Sequence, residues 1–450
     1  MKDFTSGNAT RQILLFSLPM LIGNLFQQLY SMADAVVIGR YVGGTALAAV
    51  GVAINILFFL LAVLMGLTTG ASVIISQFYG ARQYDRIERT VSTSIIFFAV
   101  LSAVITVLGV AGTPFLLRLL NASPEILDDA TLYCRILMTG MVFPIFFNMY
   151  TAYLRALGDS RSPLYILIIC TLLNIALDLL FVLQFQLGVL GVAVATVITQ
   201  AAATVLCFLY TRHAVPLLRV TRMELDWELL RAIIKYGFPA ALQLSLVTLA
   251  NLTITRLINS FGTAAMAGIT AAAKIDQLAI MPVSTVSMAL STFVAQNLGA
   301  SREERAKKGF YSSLLLMVAV AVGISGLLIL FGPQLISLFL NQDDAYTAEI
   351  LRVGLEYLNI LVAFYFLFAF LFAFNGFYRG AGDAVMAMVF PVGSLTIRTV
   401  SAYALVDFAG MGPKALAWSI PIGWGLCSLA SWFYYRSRRW AGKTVTRTVE

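Results

Sequence analysis

Twelve long apolar stretches follow one another along this chain, separated only by short polar connections, and that pattern leaves little choice of solvent. They cover residues 13–38, 47–75, 91–113, 130–154, 163–185, 190–211, 232–258, 264–292, 309–331, 350–377, 385–407 and 413–435. A helix crosses the hydrocarbon core of a bilayer with about 20 mostly apolar residues. Of the 450 residues, 60% are hydrophobic and 12% are charged, roughly half the ~25% charged fraction of a soluble domain. Too little polar surface remains to face water. The expected fold class is an all-α membrane protein with twelve transmembrane helices. The first stretch, from Ile13, is too long for the apolar core of a signal peptide and has no convincing cleavage site, so it reads as the first span.

Charge then orients the chain. There are 30 Lys and Arg against 22 Asp and Glu, but these charges punctuate the ends of apolar stretches and form no basic face of the kind nucleic acid needs. With the N-terminus inside, 22 of the 30 basic residues fall on the inner side and six outside or near the outer ends. Excess Lys and Arg mark cytoplasmic connections, so both termini are expected in the cytoplasm. The outer loops carry Glu125, Asp128, Asp129, Asp343 and Asp344 instead. The longest inner connection, 212–231, holds the only histidine, His213, expected to be solvated. Cys134, Cys170, Cys207 and Cys427 form no CxxC pair and are expected to be small packing residues. Gly442-Lys443-Thr444 lacks the rest of a phosphate-cradling loop, with Ser437 where its first glycine belongs. It is expected to be a solvated basic tail, which leaves no ATP site.

The chain also repeats itself. A shift of about 220 residues carries Pro19 onto Pro239, Thr45-Ala46 onto Thr263-Ala264, and Gln77 with Gly80-Ala81 onto Gln296 with Gly299-Ala300. It also carries Leu120-Asn121 onto Leu340-Asn341, and Arg155 through Asp159 (RALGD) onto Arg379 through Asp383 (RGAGD). Each half holds six spans, an even number, so the halves share one orientation and a pseudo-twofold axis along the membrane normal. That is a known transporter architecture. The expected organisation is an N-terminal lobe over 1–211, a cytoplasmic linker over 212–231 and a C-terminal lobe over 232–450.

The order of motifs is specific. Pro19 through Gly39 (PMLIGNLFQQLYSMADAVVIG), Gln77 through Arg82 (QFYGAR), RALGD, Asn174 through Asp178 (NIALD), Gly188 through Thr196 (GVLGVAVAT) and Gln296 through Ala300 (QNLGA) together resemble the multidrug and toxic compound extrusion (MATE) family over essentially the whole chain. The resemblance implies two six-helix bundles forming a V-shaped cleft. It implies export of lipophilic, mostly cationic organic compounds in exchange for H⁺ or Na⁺ from a bacterial inner membrane, with no cofactor beyond that ion. A monomer is expected, with small organic molecules and the lipid bilayer as its partners.

Ionisable residues within spans are costly and are functional suspects. Asp34, Asp178, Lys274 and Arg398 qualify, with Asp276 a fifth. At 1.5 Å per residue, Asp34 lies about 30 Å along the first span from Ile13, Asp178 about 22 Å from Pro163, and Thr196 about 9 Å into the sixth span from outside. Asn174 precedes Asp178 by one helical turn and shares its face. Asp34, Asn174, Asp178 and Thr196 therefore suit one all-oxygen pocket in the outer half of the first lobe. Two carboxylates there cannot both stay ionised without a proton or a cation such as Na⁺ between them. The alternative is that both acids are helix-end residues reaching water. The MATE resemblance places its cation site on these positions, and Pro19 offers a hinge for the first helix.

The second half departs from this pattern. Arg398 stands at the repeat position of Asn174, and Ala402 at that of Asp178. Lys274, Asp276 and Arg398 are expected to form a polar network there, with an Asp276–Arg398 ion pair of structural role. The fourth and tenth spans are rich in Phe and Tyr, expected mainly to face lipid. No nucleophile stands beside the carboxylates and His213 lies outside the spans, so an enzyme is not expected. The rival reading is a lipid-linked precursor flippase or a natural-product exporter of similar architecture. A pyrophosphate cleft would be expected to carry several basic groups, whereas only Lys274 and Arg398 lie within spans.

Overall fold

A computed structural model describes residues 2–119, 123–340 and 346–448. Leu120, Asn121, Asn341, Asp343 and Asp344 lie outside the described residues. The described chain is built of helices: α1 (Ala9–Val37), α2 (Gly44–Gly80), α3 (Tyr84–Leu119), α4 (Pro124–Thr139), α5 (Val142–Ala156), α6 (Arg161–Leu179), α7 (Gly188–Ala214) and α8 (Trp227–Asn259), then α9 (Thr263–Gly299), α10 (Glu303–Ser337), α11 (Thr347–Ala363), α12 (Tyr365–Gly380), α13 (Ala384–Asp407), α14 (Lys414–Arg436) and a last turn, α15 (Val445–Thr448). In hydrocarbon every backbone N–H and C=O must be satisfied within the structure, which is why the apolar stretches become helices. Ten are long and apolar enough to cross a membrane, and two bent pairs complete twelve spans.

Each pair stands where the sequence reads as one span, 130–154 and 350–377. The fourth span breaks between α4 and α5 by 50°, and the tenth between α11 and α12 by 53°. The breaks, at Gly140 and Phe364, stand at the offset that carries Asp159 onto Asp383. A side chain on Gly140 would meet Val197 of α7 at 2.8 Å, so close packing there requires glycine. Several aromatic side chains of these spans are buried within the protein rather than turned to lipid. Tyr150, Tyr153, Tyr365, Phe368, Phe374 and Phe377 are buried, Phe143, Phe146, Phe147, Phe364, Phe370 and Phe372 are half-buried, and Phe366 is exposed.

The chain divides into two compact units. The main body of unit 1 is Leu18–Ala241, and unit 2 comprises Phe4–Ser17 and Leu242–Thr448. Each unit boundary falls inside a helix, within two residues of Pro19 in α1 and of Pro239 in α8. Proline removes one rung of the helical ladder and so marks the cheapest place for a bend. In unit 2 the N-terminal segment is strapped down: Phe4 is buried, its N–H donates to Gln296 Oε1 (3.0 Å) and its carbonyl accepts from Asn297 Nδ2 (3.1 Å) and Arg305 Nε (2.9 Å). In unit 1 the connection before α8 docks on α3. Thr221 donates to Glu88 through both its N–H (2.7 Å) and its hydroxyl (2.6 Å), and Glu224 and Asp226 bond to Ser92 and Thr93.

The repeated RALGD and RGAGD segments have one physical purpose. Gly158 and Gly382 both adopt φ 82°, a left-handed conformation favouring glycine. The following Asp caps the next helix: Asp159 accepts from the N–H groups of Arg161 and Ser162, and Asp383 from Met386. A tyrosine of the last span donates to each cap, Tyr210 to Asp159 at 3.1 Å and Tyr434 to Asp383 at 2.7 Å.

The C-terminal tail corrects the sequence reading. Lys443 is not a free solvated side chain; its ammonium lies 2.8 Å from Asp383 Oδ2. Trp440 is buried, packing edge-on against Phe377 (4.7 Å) and stacked on Tyr435 (5.7 Å). Position along the sequence suggested a loose end, but one large ring and one buried carboxylate hold it down. His213 closes α7, exposed, with Nδ1 2.9 Å from the Leu209 carbonyl. All four cysteines are free and buried, so a thiol-reactive dye reports unfolding. Trp440→Ala is expected to destabilise the protein by roughly 3–5 kcal/mol, as for a buried aromatic removed from a core. A dye-monitored melting temperature in detergent checks this, and no change would mean the tail is not packed.

Candidate cation-exchange site

Unit 1 brings together all four residues that the sequence reading assigned to a cation pocket. Asp34 sits in the last turns of α1, Asn174 and Asp178 one turn apart on α6, and Thr196 on α7. Asn174 and Asp178 are both 0% exposed and Thr196 is 5% exposed, whereas Asp34 is half-buried. With its nitrogen turned inward, the Asn174 amide donates to Asp34 Oδ1 (2.9 Å) and Asp178 Oδ2 (3.1 Å). This orientation lets the amide nitrogen face the acceptors and the amide oxygen the donors around it. The two carboxyl groups are also within hydrogen-bonding reach of each other. Asp178 Oδ1 is buried and has no partner among the described residues.

Tyr30, which the sequence reading did not single out, completes the pocket. Its hydroxyl reaches Asp34 and lies 3.5 Å from Thr196 Oγ1, a weak contact at the limit of hydrogen bonding. The signal was available, since Tyr30 stands four residues before Asp34 and hence on the same helix face. Buried Tyr133 of α4 is the other phenol beside the acids. Among the described residues no group of three or more His, Cys, Asp or Glu forms a metal site. The donors are instead two carboxylates, an amide and hydroxyls, which suits a proton or a hard monovalent cation better than a transition metal.

Both acid-bearing helices change their winding just past the acid. Residues Ile38–Val42 follow α1 as a π-helix, and Leu180–Gln184 follow α6 as another. Such wide turns are rare and concentrate at functional sites. Their repeat counterparts at the ends of α8 and α13 show none among the described residues. Pro19 lies inside α1, fifteen residues before Asp34 in sequence.

The network expected in unit 2 is rearranged. Among the described residues no Asp276–Arg398 ion pair forms within 4.0 Å. Asp276 Oδ1 instead accepts from the Tyr365 hydroxyl at 2.7 Å, because the bend before α12 turns Tyr365 toward α9. Lys274 is exposed and lies over the Phe339 ring, 5.6 Å from its centroid.

Comparison with known proteins identifies the family and the fold. The MatE family profile matches twice, over residues 19–180 and 239–404. The chain belongs to the MatE family. Both matches begin at the paired prolines and each covers one copy of the repeat. The probable multidrug resistance protein YpnP of Bacillus subtilis is 30% identical over 442 residues, covering 97% of each chain. The probable multidrug resistance protein NorM of Thermotoga maritima is 26% identical over 416 residues, covering 89% of this chain and 87% of its own. Among solved structures, an outward-facing multidrug resistance MATE transporter superposes with a TM-score of 0.90 at 24% identity, covering 97% of this chain and 98% of its own. A MOP superfamily transporter from Pyrococcus furiosus gives 0.89 at 24% identity, covering 97% of each. These two establish the twelve-span fold, and membership makes this MatE chain a multi-pass membrane transporter, not an enzyme.

Asn174→Leu keeps the volume but removes the one amide that donates to both acids. Leaving buried acceptors unpaired costs about 1–3 kcal/mol, so the dye-monitored melting temperature is expected to fall by several degrees. An unchanged value would show that the amide is not bonded to the pair.

Proposed function

We propose that this MatE protein is a secondary active exporter of lipophilic, mostly cationic organic compounds, driven by exchange for H⁺ or Na⁺ at Asp34 and Asp178. The observation that carries this reading is a pair of carboxyl groups in hydrogen-bonding reach inside unit 1, one of them wholly buried with an unpartnered oxygen. The relatives named as multidrug resistance and multidrug export proteins support drug export.

The chemistry follows from Coulomb's law. Two bare carboxylates about 4 Å apart repel by about 4 kcal/mol at an effective dielectric of 20. A proton shared by the pair, or a Na⁺ between them, removes that repulsion. Loss of the ion restores it and presses α1 away from α6. Asn174 adapts to either occupant, since its amide offers N–H to the carboxylates or, turned over, an oxygen to a metal ion. Pro19 is where α1 yields, and the wide turns after Asp34 and Asp178 let the ends of both helices adjust. Ion occupancy thus biases a two-state element, which is what coupling requires. The protein works in this reading as a monomer in the bacterial inner membrane, both termini in the cytoplasm.

The test is efflux of a fluorescent lipophilic cation from proteoliposomes, with pH and Na⁺ gradients imposed separately. One gradient is expected to drive transport, and Asp34→Asn to abolish it while the protein still inserts and purifies normally. Transport indifferent to both gradients, or wild-type transport by Asp34→Asn, would refute the proposed coupling.

A further inference from the structure

The last span ends in a concentration of positive charge that unit 2 uses only in part. No Asp or Glu occurs between Asp407 and Glu450, whereas Arg436, Arg438, Arg439, Lys443 and Arg447 all follow the apolar stretch 413–435. Arg438 pairs with Glu303 of α10 and Lys443 with Asp383. Glu303 and its neighbour Glu304 are also held by Lys307, at 2.8 and 2.9 Å. Arg436 and Arg439 are exposed and, among the described residues, neither makes an ion pair within 4.0 Å.

Helix length places these two arginines. α14 runs Lys414–Arg436, 23 residues, or about 34 Å at 1.5 Å per residue. The hydrocarbon core is about 30 Å thick, so this helix has little length to spare and Arg436 stands at the headgroup level. The chain then turns back at Arg438, whose φ of 57° is left-handed. Buried Trp440 closes the turn by donating its Nε1–H to the Tyr435 carbonyl at 3.0 Å. Arg439, between the turn and that buried ring, is held close to the end of α14. Further into the span the same helix exposes Leu426, Leu429, Trp432 and Phe433. Arg436 lies over the Trp432 ring, 5.0 Å from its centroid, which fixes the guanidinium at the depth where tryptophans mark the membrane boundary.

We propose that Arg436 and Arg439, with the exposed flank of Trp432 and Phe433, form a binding site for an anionic phospholipid in the leaflet at the C-terminal end of α14. Guanidinium forks bond phosphate oxygens bidentately, and basic clusters just outside a span attract acidic headgroups. The acyl chains then cover Leu429 and Phe433. A soluble anion would meet the charges but not the rings, so the arrangement favours a lipid. The site is remote in sequence from the acids of unit 1 and does not depend on the export reading.

Native mass spectrometry of the purified full-length protein tests it, with phosphatidylglycerol and phosphatidylcholine of identical acyl chains as probes. The wild type is expected to bind phosphatidylglycerol about fivefold or more tighter than phosphatidylcholine, the scale of a basic group beside an anionic surface. Arg436→Gln and Arg439→Gln are each expected to weaken phosphatidylglycerol by about fivefold, and the double variant to lose the preference. Arg219→Gln with Arg222→Gln removes two exposed arginines of the connection before α8 and controls for net charge; it is expected to keep the preference. Melting temperatures with the thiol dye check that each variant is folded. A photoreactive phosphatidylglycerol needs no variant, and its crosslinks are expected between residues 426 and 439. Equal affinity of the wild type for both lipids, or full preference in the folded double variant, would overturn the site. So would an equal loss in the control, or crosslinks that avoid this segment.

Discussion

Two carboxyl groups that can touch inside a membrane protein form an unstable arrangement unless something positive lies between them, and unit 1 is organised around that condition. Asp34 arrives on α1, and Asp178 on α6 one turn after Asn174. The Asn174 amide reaches both acids, and Tyr30 links Asp34 toward Thr196. None of these neutral partners cancels a charge. In the proposed function they hold the acids close enough for one mobile ion to set the charge of the pocket.

The same economy governs the scaffold. Each unit boundary lies beside a proline, and the segment preceding each crossing is docked firmly: Phe4 by Gln296, Asn297 and Arg305 in unit 2, and Thr221 to Asp226 by α3 in unit 1. Pro19 and Pro239 lie inside the helices that cross these boundaries, where the helical ladder already lacks a bond, and in the proposed reading that is where the helices yield. The matched glycine turns and aspartate caps before α6 and α13 make rigid corners at equivalent places in both copies of the repeat.

Much of this was legible in the sequence, and the reasons are physical. Hydrocarbon admits few backbone structures, so length and apolarity alone determine the spans. Charges inside those spans are expensive, so Asp34 and Asp178 stand out. Turn-forming Gly-Asp pairs and prolines repeat because each copy needs the same corners. Features that depend on packing between helices were not legible. The π-turns after the two acids carry no compositional mark, and the bend at Phe364 has neither glycine nor proline at its break. Trp440 and Lys443 looked like a solvated tail because nothing local reveals that Phe377, Tyr435 and Asp383 await them. Arg398 and Asp276 invited pairing by charge alone, while Tyr365, delivered by the bend, holds the acid elsewhere.

The central claim is that drug and ion compete through the acid pair, and ion release on drug binding tests it most directly. Tetraphenylphosphonium is added to purified protein in weakly buffered detergent solution, with a pH-indicator dye following protons and pre-bound radiolabelled sodium following Na⁺. Reciprocal linkage between the two binding events predicts displacement of about one ion per protein from the wild type and none from Asp34→Asn or Asp178→Asn. No release from the wild type, or undiminished release from both variants, would contradict the account.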